Sequence, residues 1–115
     1  MTPVLTLYGL KNCDTCRKAR AVLTRHEVAH QFIDMAAHPP DAATIAAWLE
    51  ALGEDRLINR RGTTWRSLDA QARGRDAVEL LTGQPKLMKR PVLVRGGAVT
   101  NAGAEADWLA FARGD

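Results

Sequence analysis

The chain has 115 residues, 46% of them hydrophobic and 25% charged, which suits a single globular domain (residues 1–115) and excludes a disordered protein. Its net charge of +3 is scattered, apart from four arginines between Arg56 and Arg66, so direct nucleic-acid binding is not expected. No apolar run nears the roughly 18–20 residues of a membrane span, and Met1 to Tyr8 lacks a signal-peptide layout, so the chain reads as cytoplasmic with its thiols reduced.

Val4 to Tyr8 is apolar and β-prone, and Gly9 ends it, which predicts a first strand. Lys11-Asn12-Cys13-Asp14-Thr15-Cys16 follows. Arg17 to His26 then carries good helix formers, with Ala19, Val22 and Leu23 at helical spacing. Val28 to Met35 predicts a second strand, so the opening is strand, helix, strand with a thiol pair where strand becomes helix. Pro39-Pro40-Asp41 signals a helix start; Ile45, Trp48, Leu49 and Leu52 form its apolar face, and Gly53 stops it. Arg56 to Leu68 mixes arginines with Leu57, Ile58, Trp65 and Leu68. Asp76 predicts a cap for a short helix through Leu81, ended by Gly83 and Pro85. Pro91 to Val94 predicts a third strand, Gly96-Gly97 a two-residue hairpin turn, and Ala98 to Thr100 the returning strand. A last helix is expected from about Ala104 to Ala112, burying Trp108, Leu109 and Phe111.

The order β-α-β, helices, β-β-α is that of an α/β thioredoxin-like fold: a mixed four-stranded sheet with a helical insertion over about residues 36–84.

Cys-x-x-Cys at a helix start carries a chemistry. Free N–H groups and the positive end of the helix dipole stabilise a thiolate on the first cysteine, and Lys11 and Arg17 add charge nearby. The second cysteine, one turn on, can attack a mixed disulfide on the first. A structural staple is a poor alternative in a reducing compartment, because the loop closed is tiny. Zinc is not expected: Cys16 to His26 would span about 15 Å of helix, against zinc–ligand bonds of about 2.0–2.3 Å. His26, His30 and His38 read as surface or helix-end residues. Arg60, Arg61 and Arg66 suit either a solvated face or an anion site, and Trp48, Trp65 and Trp108 read as core. Cys13 is the expected low-pKa thiol, because Cys16 lies a turn inside, facing the sheet beside Ala19 and Val22.

Leu7-Tyr8-Gly9-Leu10-Lys11-Asn12-Cys13-Asp14-Thr15 with Lys18-Ala19-Arg20, the stretch Asn59 to Leu68, and Lys89-Arg90-Pro91-Val92-Leu93 together resemble the arsenate reductase (ArsC) family related to glutaredoxin, in its YffB-like branch. The resemblance implies a glutathione-linked thiol–disulfide reductase acting on a small-molecule or protein substrate, with glutathione or glutaredoxin as reductant and no tightly bound cofactor or metal. It implies Cys13 as nucleophile, Cys16 as the resolving or regulatory thiol, and Arg90 as the group that positions an anionic partner. It further implies a cis Pro91 beside the cysteine, and Lys11, Asn12, Arg61 and Pro91 around substrate or glutathione. The protein is expected to be a monomer. Arsenate reductases surround their anion with three arginines; here the first position falls on Asn59 and the third near Ala102, which predicts little arsenate turnover. The second cysteine resembles the Spx regulators, so the alternative is a redox-sensing transcription regulator that binds RNA polymerase.

Overall fold

The computed structural model describes residues 4–114. The chain divides into two compact units, one comprising the chain up to Asp34 together with the chain from Arg90 onward, the other comprising Met35–Lys89.

The first unit is built on four strands: β1 (Leu5–Gly9), β2 (His30–Asp34), β3 (Val92–Arg95) and β4 (Ala98–Thr100), with helix α1 (Asp14–Arg25) between β1 and β2. Their spatial order is β2-β1-β3-β4. β1 runs parallel to β2, with Leu7 opposite Phe32, and antiparallel to β3, with Leu7 opposite Leu93; β3 and β4 are antiparallel. This is the mixed four-stranded sheet of a thioredoxin-like fold. A parallel pair requires a crossover, which α1 supplies, whereas Gly96 takes the positive φ of 60° that a tight two-residue turn asks of its first position.

Alternation along β1 buries Leu5, Leu7 and Gly9 and leaves Thr6 and Tyr8 half-buried. Leu5 and Leu7 pack with Ala19, Val22 and Leu23 of α1, with Leu93, and with Trp108 of the last helix, Glu105–Arg113. Trp108 is fully buried, and its Nε1–H donates to the carbonyl of Ala102 at 2.7 Å, so the indole brings its large apolar area inside without an unpaired donor. Leu109 and Phe111 are half-buried against the same core.

Two boundaries differ from the sequence expectation. The first helix begins at Asp14, three residues before the run of strong helix formers, because Arg17 N–H donates to the carbonyl of Cys13 at 3.0 Å and draws the thiol pair into the first turn. The second strand is shorter than Val28 to Met35. Val28 N–H closes back on the Leu23 carbonyl at 2.8 Å and Glu27 N–H on that of Thr24 at 3.0 Å, with Glu27 at φ 58°. These bonds are a Schellman cap, so Val28 finishes the helix rather than opening the strand.

Within Met35–Lys89 the elements are α2 (Ala42–Leu52), α3 (Glu54–Leu57), α4 (Thr63–Arg66), α5 (Ala70–Arg73), α6 (Ala77–Gly83) and a 3₁₀ turn at Pro85–Leu87. The chain-final helix of the first unit, Glu105–Arg113, is therefore α7. Asp41, Asp69 and Asp76 each accept a backbone N–H from three residues ahead, capping α2, α5 and α6. α2 packs on α6, and Ile45, Trp48, Leu52, Leu57, Leu80 and Leu81 are buried. Trp65 departs from the expected core role. It is half-buried, with Arg60 at 5.5 Å and Arg73 at 5.3 Å from its ring centroid, so its faces hold guanidinium groups rather than apolar chains. No helix among the described residues is long and apolar enough to cross a membrane.

Candidate functional site

Cys13 is the N-cap of α1, in extended conformation at φ −92° and ψ 121°, where the first N–H groups of the helix have no partner within it. The turn before it, carrying Lys11 and Asn12, is closed by Cys13 N–H donating to the Leu10 carbonyl at 3.2 Å. Lys11 and Asn12 are exposed and Cys13 is half-buried. Cys16 is completely buried on the inner face of the helix, with Ala19 and Val22, as its position one turn on dictates.

The two thiols are driven in opposite directions. Burial works against ionisation of Cys13, but the Cys16 backbone N–H, the Cys16 side chain and the Arg90 guanidinium outweigh it and hold the Cys13 thiol below its ordinary value. Burial dominates at Cys16. A backbone contact at Leu10 eases ionisation there, the neighbouring Cys13 opposes it, and the thiol is pushed up to about 12. The two cysteines are not joined in a disulfide.

Arg90 reaches this site from the far end of the sequence because β3 lies beside β1, whose C-terminal end leads into the Cys13 turn. The Arg90–Pro91 bond is cis and Pro91 is fully buried. Cys13, Cys16 and Arg90 are thus brought together, with Lys11 and Asn12 on the turn that leads into Cys13. Arg61 lies in the other unit, exposed, with its backbone N–H donating to Asn59 Oδ1 at 3.1 Å. Arg17 is less available than its proximity in sequence suggests, because it forms an ion pair with Asp14.

The two positions where the resemblance expects an arginine and the sequence has none, Asn59 and Ala102, are engaged elsewhere. Asn59 is committed to its own turn: it caps the Arg61 N–H, and a Cβ at Gly62 would sit 2.9 Å from its Nδ2. The adjacent Arg60 pairs with Asp55 at 2.6 Å and Glu54 at 3.8 Å. Ala102 gives its carbonyl to Trp108 and its N–H to the Thr100 hydroxyl. Among the described residues no group of three or more His, Cys, Asp or Glu converges as a metal site would require.

Gly9 was missed by sequence reasoning. It is buried at the end of β1, directly against the Cys16 sulfur. The one sequence signal for it is a glycine closing an otherwise β-prone run, which reads equally well as a plain strand stop.

Residues 8–111 match the ArsC family. Among solved structures, the chain is similar to the YffB (PA3664) protein, at 37% identity and a TM-score of 0.87, over 93% of this chain and 97% of that one. It is also similar to an arsenate reductase (ArsC) related protein from Brucella melitensis, at 38% identity and a TM-score of 0.75, over 94% and 93% of the two chains. The global transcriptional regulator Spx of Streptococcus pyogenes is 30% identical over 97 residues, which cover 79% of this chain and 72% of Spx.

Proposed function

The chain belongs to the ArsC family, and from that membership and the opposite states of its two thiols we propose that it is a glutathione-linked thiol–disulfide reductase. The observation that carries this reading is Cys13: a half-buried thiol at a helix mouth, held below its ordinary pKa by a neighbouring N–H, a neighbouring thiol and a guanidinium.

In this reading the Cys13 thiolate attacks one sulfur of a substrate disulfide. The S–S bond breaks, a mixed disulfide forms on Cys13, and the other sulfur leaves as a thiolate that takes a proton from water. A glutathione thiolate then attacks the Cys13 sulfur and releases the second substrate thiol. Another glutathione attacks the glutathione sulfur of the resulting adduct, regenerating the Cys13 thiolate and releasing glutathione disulfide. Two glutathiones are oxidised for each substrate disulfide reduced. Arg90 positions the anionic part of the incoming molecule, and Lys11, Asn12 and Pro91 flank it.

Cys16 is the slower resolving thiol. With its thiol pushed up to about 12, Cys16 is far more fully protonated near neutral pH than an ordinary thiol such as that of glutathione. Once Cys13 is in a mixed disulfide its negative charge is gone, which removes one of the causes that raise Cys16; burial, the largest, remains. In this reading external glutathione resolves the adduct, because burial holds Cys16 in its protonated form.

The test is mass spectrometry of the chain after exposure to glutathione disulfide. A glutathione adduct on Cys13 is expected, with turnover of a model mixed disulfide in the presence of glutathione. Modification of Cys16 alone, or no adduct and no turnover, would refute the proposal.

The Spx relatives and the paired cysteines favour a second reading, a redox-sensing regulator that contacts RNA polymerase. Co-purification with RNA polymerase that changes on oxidation of Cys13 and Cys16, without glutathione-dependent turnover, would select it.

A further inference from the structure

A groove of about 470 Å³ runs along the outer face of α1, lined by Arg17, Arg20, Ala21, Thr24 and Arg25 and by His30 at the start of β2. We propose that it is the docking site for an extended acidic segment of a partner protein.

The helix residues stand at i, i+3, i+4, i+7 and i+8, so they form one continuous stripe facing away from the core side occupied by Cys16, Ala19, Val22 and Leu23. Small residues, Ala21 and Thr24, separate long basic ones and leave space between them. No acidic side chain lines the groove.

The guanidinium groups are held in place from outside the groove. Arg20 lies over the Phe32 ring, 4.2 Å from its centroid, and forms no salt bridge among the described residues. That stack uses one face of the guanidinium and leaves its N–H donors in the plane. Arg25 is tethered to Glu105 at 2.9 Å, and Arg17 to Asp14. Side chains already immobilised lose less entropy when a ligand arrives. Arg17 and Arg25 nevertheless keep side-chain exposures of 61% and 62%, so each tether leaves donors of the five-donor fork open.

Dimensions favour an extended peptide. Arg17 to Arg25 spans about 12 Å of helix axis. About four residues of extended chain cover that distance, and their alternate side chains point the same way. Acidic residues at alternate positions would therefore meet successive arginines, with the Thr24 hydroxyl available to the peptide backbone between Arg20 and Arg25. Nucleic acid fits less well. A phosphate-tracking surface uses about six to ten contacts and, for single strands, an open stacking ring. Here there are three arginines, fewer than such a surface uses, and the Phe32 ring is covered by Arg20 and closed to stacking.

The groove lies on the helix that begins at Cys13, yet binding there does not depend on thiol turnover, so it can be tested separately. The measurement is fluorescence polarisation of the full chain with a labelled peptide of about eight residues, glutamate alternating with threonine. A single-stranded DNA of about the same length serves as the competing probe. Saturable peptide binding is expected, weakening several-fold as salt rises from about 0.01 M to about 0.15 M. The double variant Arg20→Ser/Arg25→Ser should bind about fivefold more weakly or worse. Should that variant lose its far-UV circular dichroism, Arg17→Ser, which removes an exposed cation together with its surface pairing to Asp14, should still weaken binding about twofold to threefold. The proposal is overturned by absence of saturable peptide binding, by binding that these substitutions leave unchanged, or by tighter binding of the DNA that the same substitutions abolish.

Discussion

Gly9 and Cys16 are in direct apposition: a Cβ built on Gly9 would fall well inside the 3.0 Å that Cβ atoms keep from other heavy atoms, against the Cys16 sulfur, and 3.2 Å from the Cys16 Cβ. The end of β1 thus sets how deep the second thiol sits. Gly9→Ala is expected to cost about 1–3 kcal/mol by overpacking, and less in a Cys16→Ala background where the sulfur is gone. Urea unfolding of the four proteins in the cycle measures the coupling. Equal cost in both backgrounds would show that the sulfur is not what Gly9 makes room for.

The thiols should separate by rate. At a pH near 6.5, iodoacetamide should label Cys13 quickly and Cys16 hardly at all; Cys13→Ser should abolish the fast phase and Cys16→Ser should leave most of it. Arg90→Met removes a guanidinium that favours the thiolate, so the rate–pH curve of Cys13 should move to higher pH. A slower reaction at pH 6.5 that recovers near pH 9.5 is the expected pattern, read by mass spectrometry. A uniform slowing at every pH would assign Arg90 a structural role instead.

Alkaline stability carries a signature of Cys16. Its folded pKa is raised from 9.0 to about 12, so between those values the unfolded chain loses that proton and the folded chain keeps it. Stability contributed by the neutral thiol is present below pH 9.0 and lost as pH rises toward 12, at roughly 1.4 kcal/mol per pH unit. Cys13 has the opposite sign and a different window. Its folded pKa is lowered, so its contribution grows as pH rises from the folded value to 9.0 and adds no slope above it. Urea unfolding of the chain and of Cys16→Ala from pH 9 to 11 isolates the effect, because every other group is common to the two proteins. Parallel stability curves would show that Cys16 is not buried as described.

Glu27 holds φ 58° at the Schellman cap of α1, a conformation that costs a side chain about 1–2 kcal/mol and glycine almost nothing. Glu27→Gly should therefore raise stability by about 1 kcal/mol, less the entropy that glycine adds to the unfolded chain. A melting temperature that falls would mean that the Glu27 side chain contributes more than its backbone strain removes.

Arsenate turnover should be slow. The resemblance puts the first family arginine at Asn59, which is locked in its own turn, and the third near Ala102, which spends its backbone groups on Trp108 and Thr100. Two missing charge-assisted hydrogen bonds at about 1.5–3 kcal/mol each predict activity about a hundredfold or more below that of an arsenate reductase with all three arginines. An assay with glutathione and glutaredoxin checks this; a rate within a few-fold would contradict it.

Much of this molecule is written in short-range patterns. The β-prone run before Gly9, the apolar spacing Ala19-Val22-Leu23, the aspartate caps at Asp41 and Asp76, and Gly96-Gly97 each act over a few residues, so the sequence by itself determined the element order and placed Cys13 at a helix mouth. The four-residue α5 escaped, although Asp69 caps it, because one turn has too few hydrogen bonds to be stable alone. It is joined instead by Arg73, which donates to the carbonyls of Trp65 and Arg66. Trp65 looked like core and proved to be a platform for two arginines, and Arg60 proved to be neutralised by Glu54 and Asp55. Only the tertiary structure decided these, along with the meeting of Arg90 and Cys13 across the sheet and the depth at which Gly9 seats Cys16. Helix periodicity and caps are properties of neighbours in the chain. Burial and electrostatic field, which set the two thiols apart, are sums over neighbours in space.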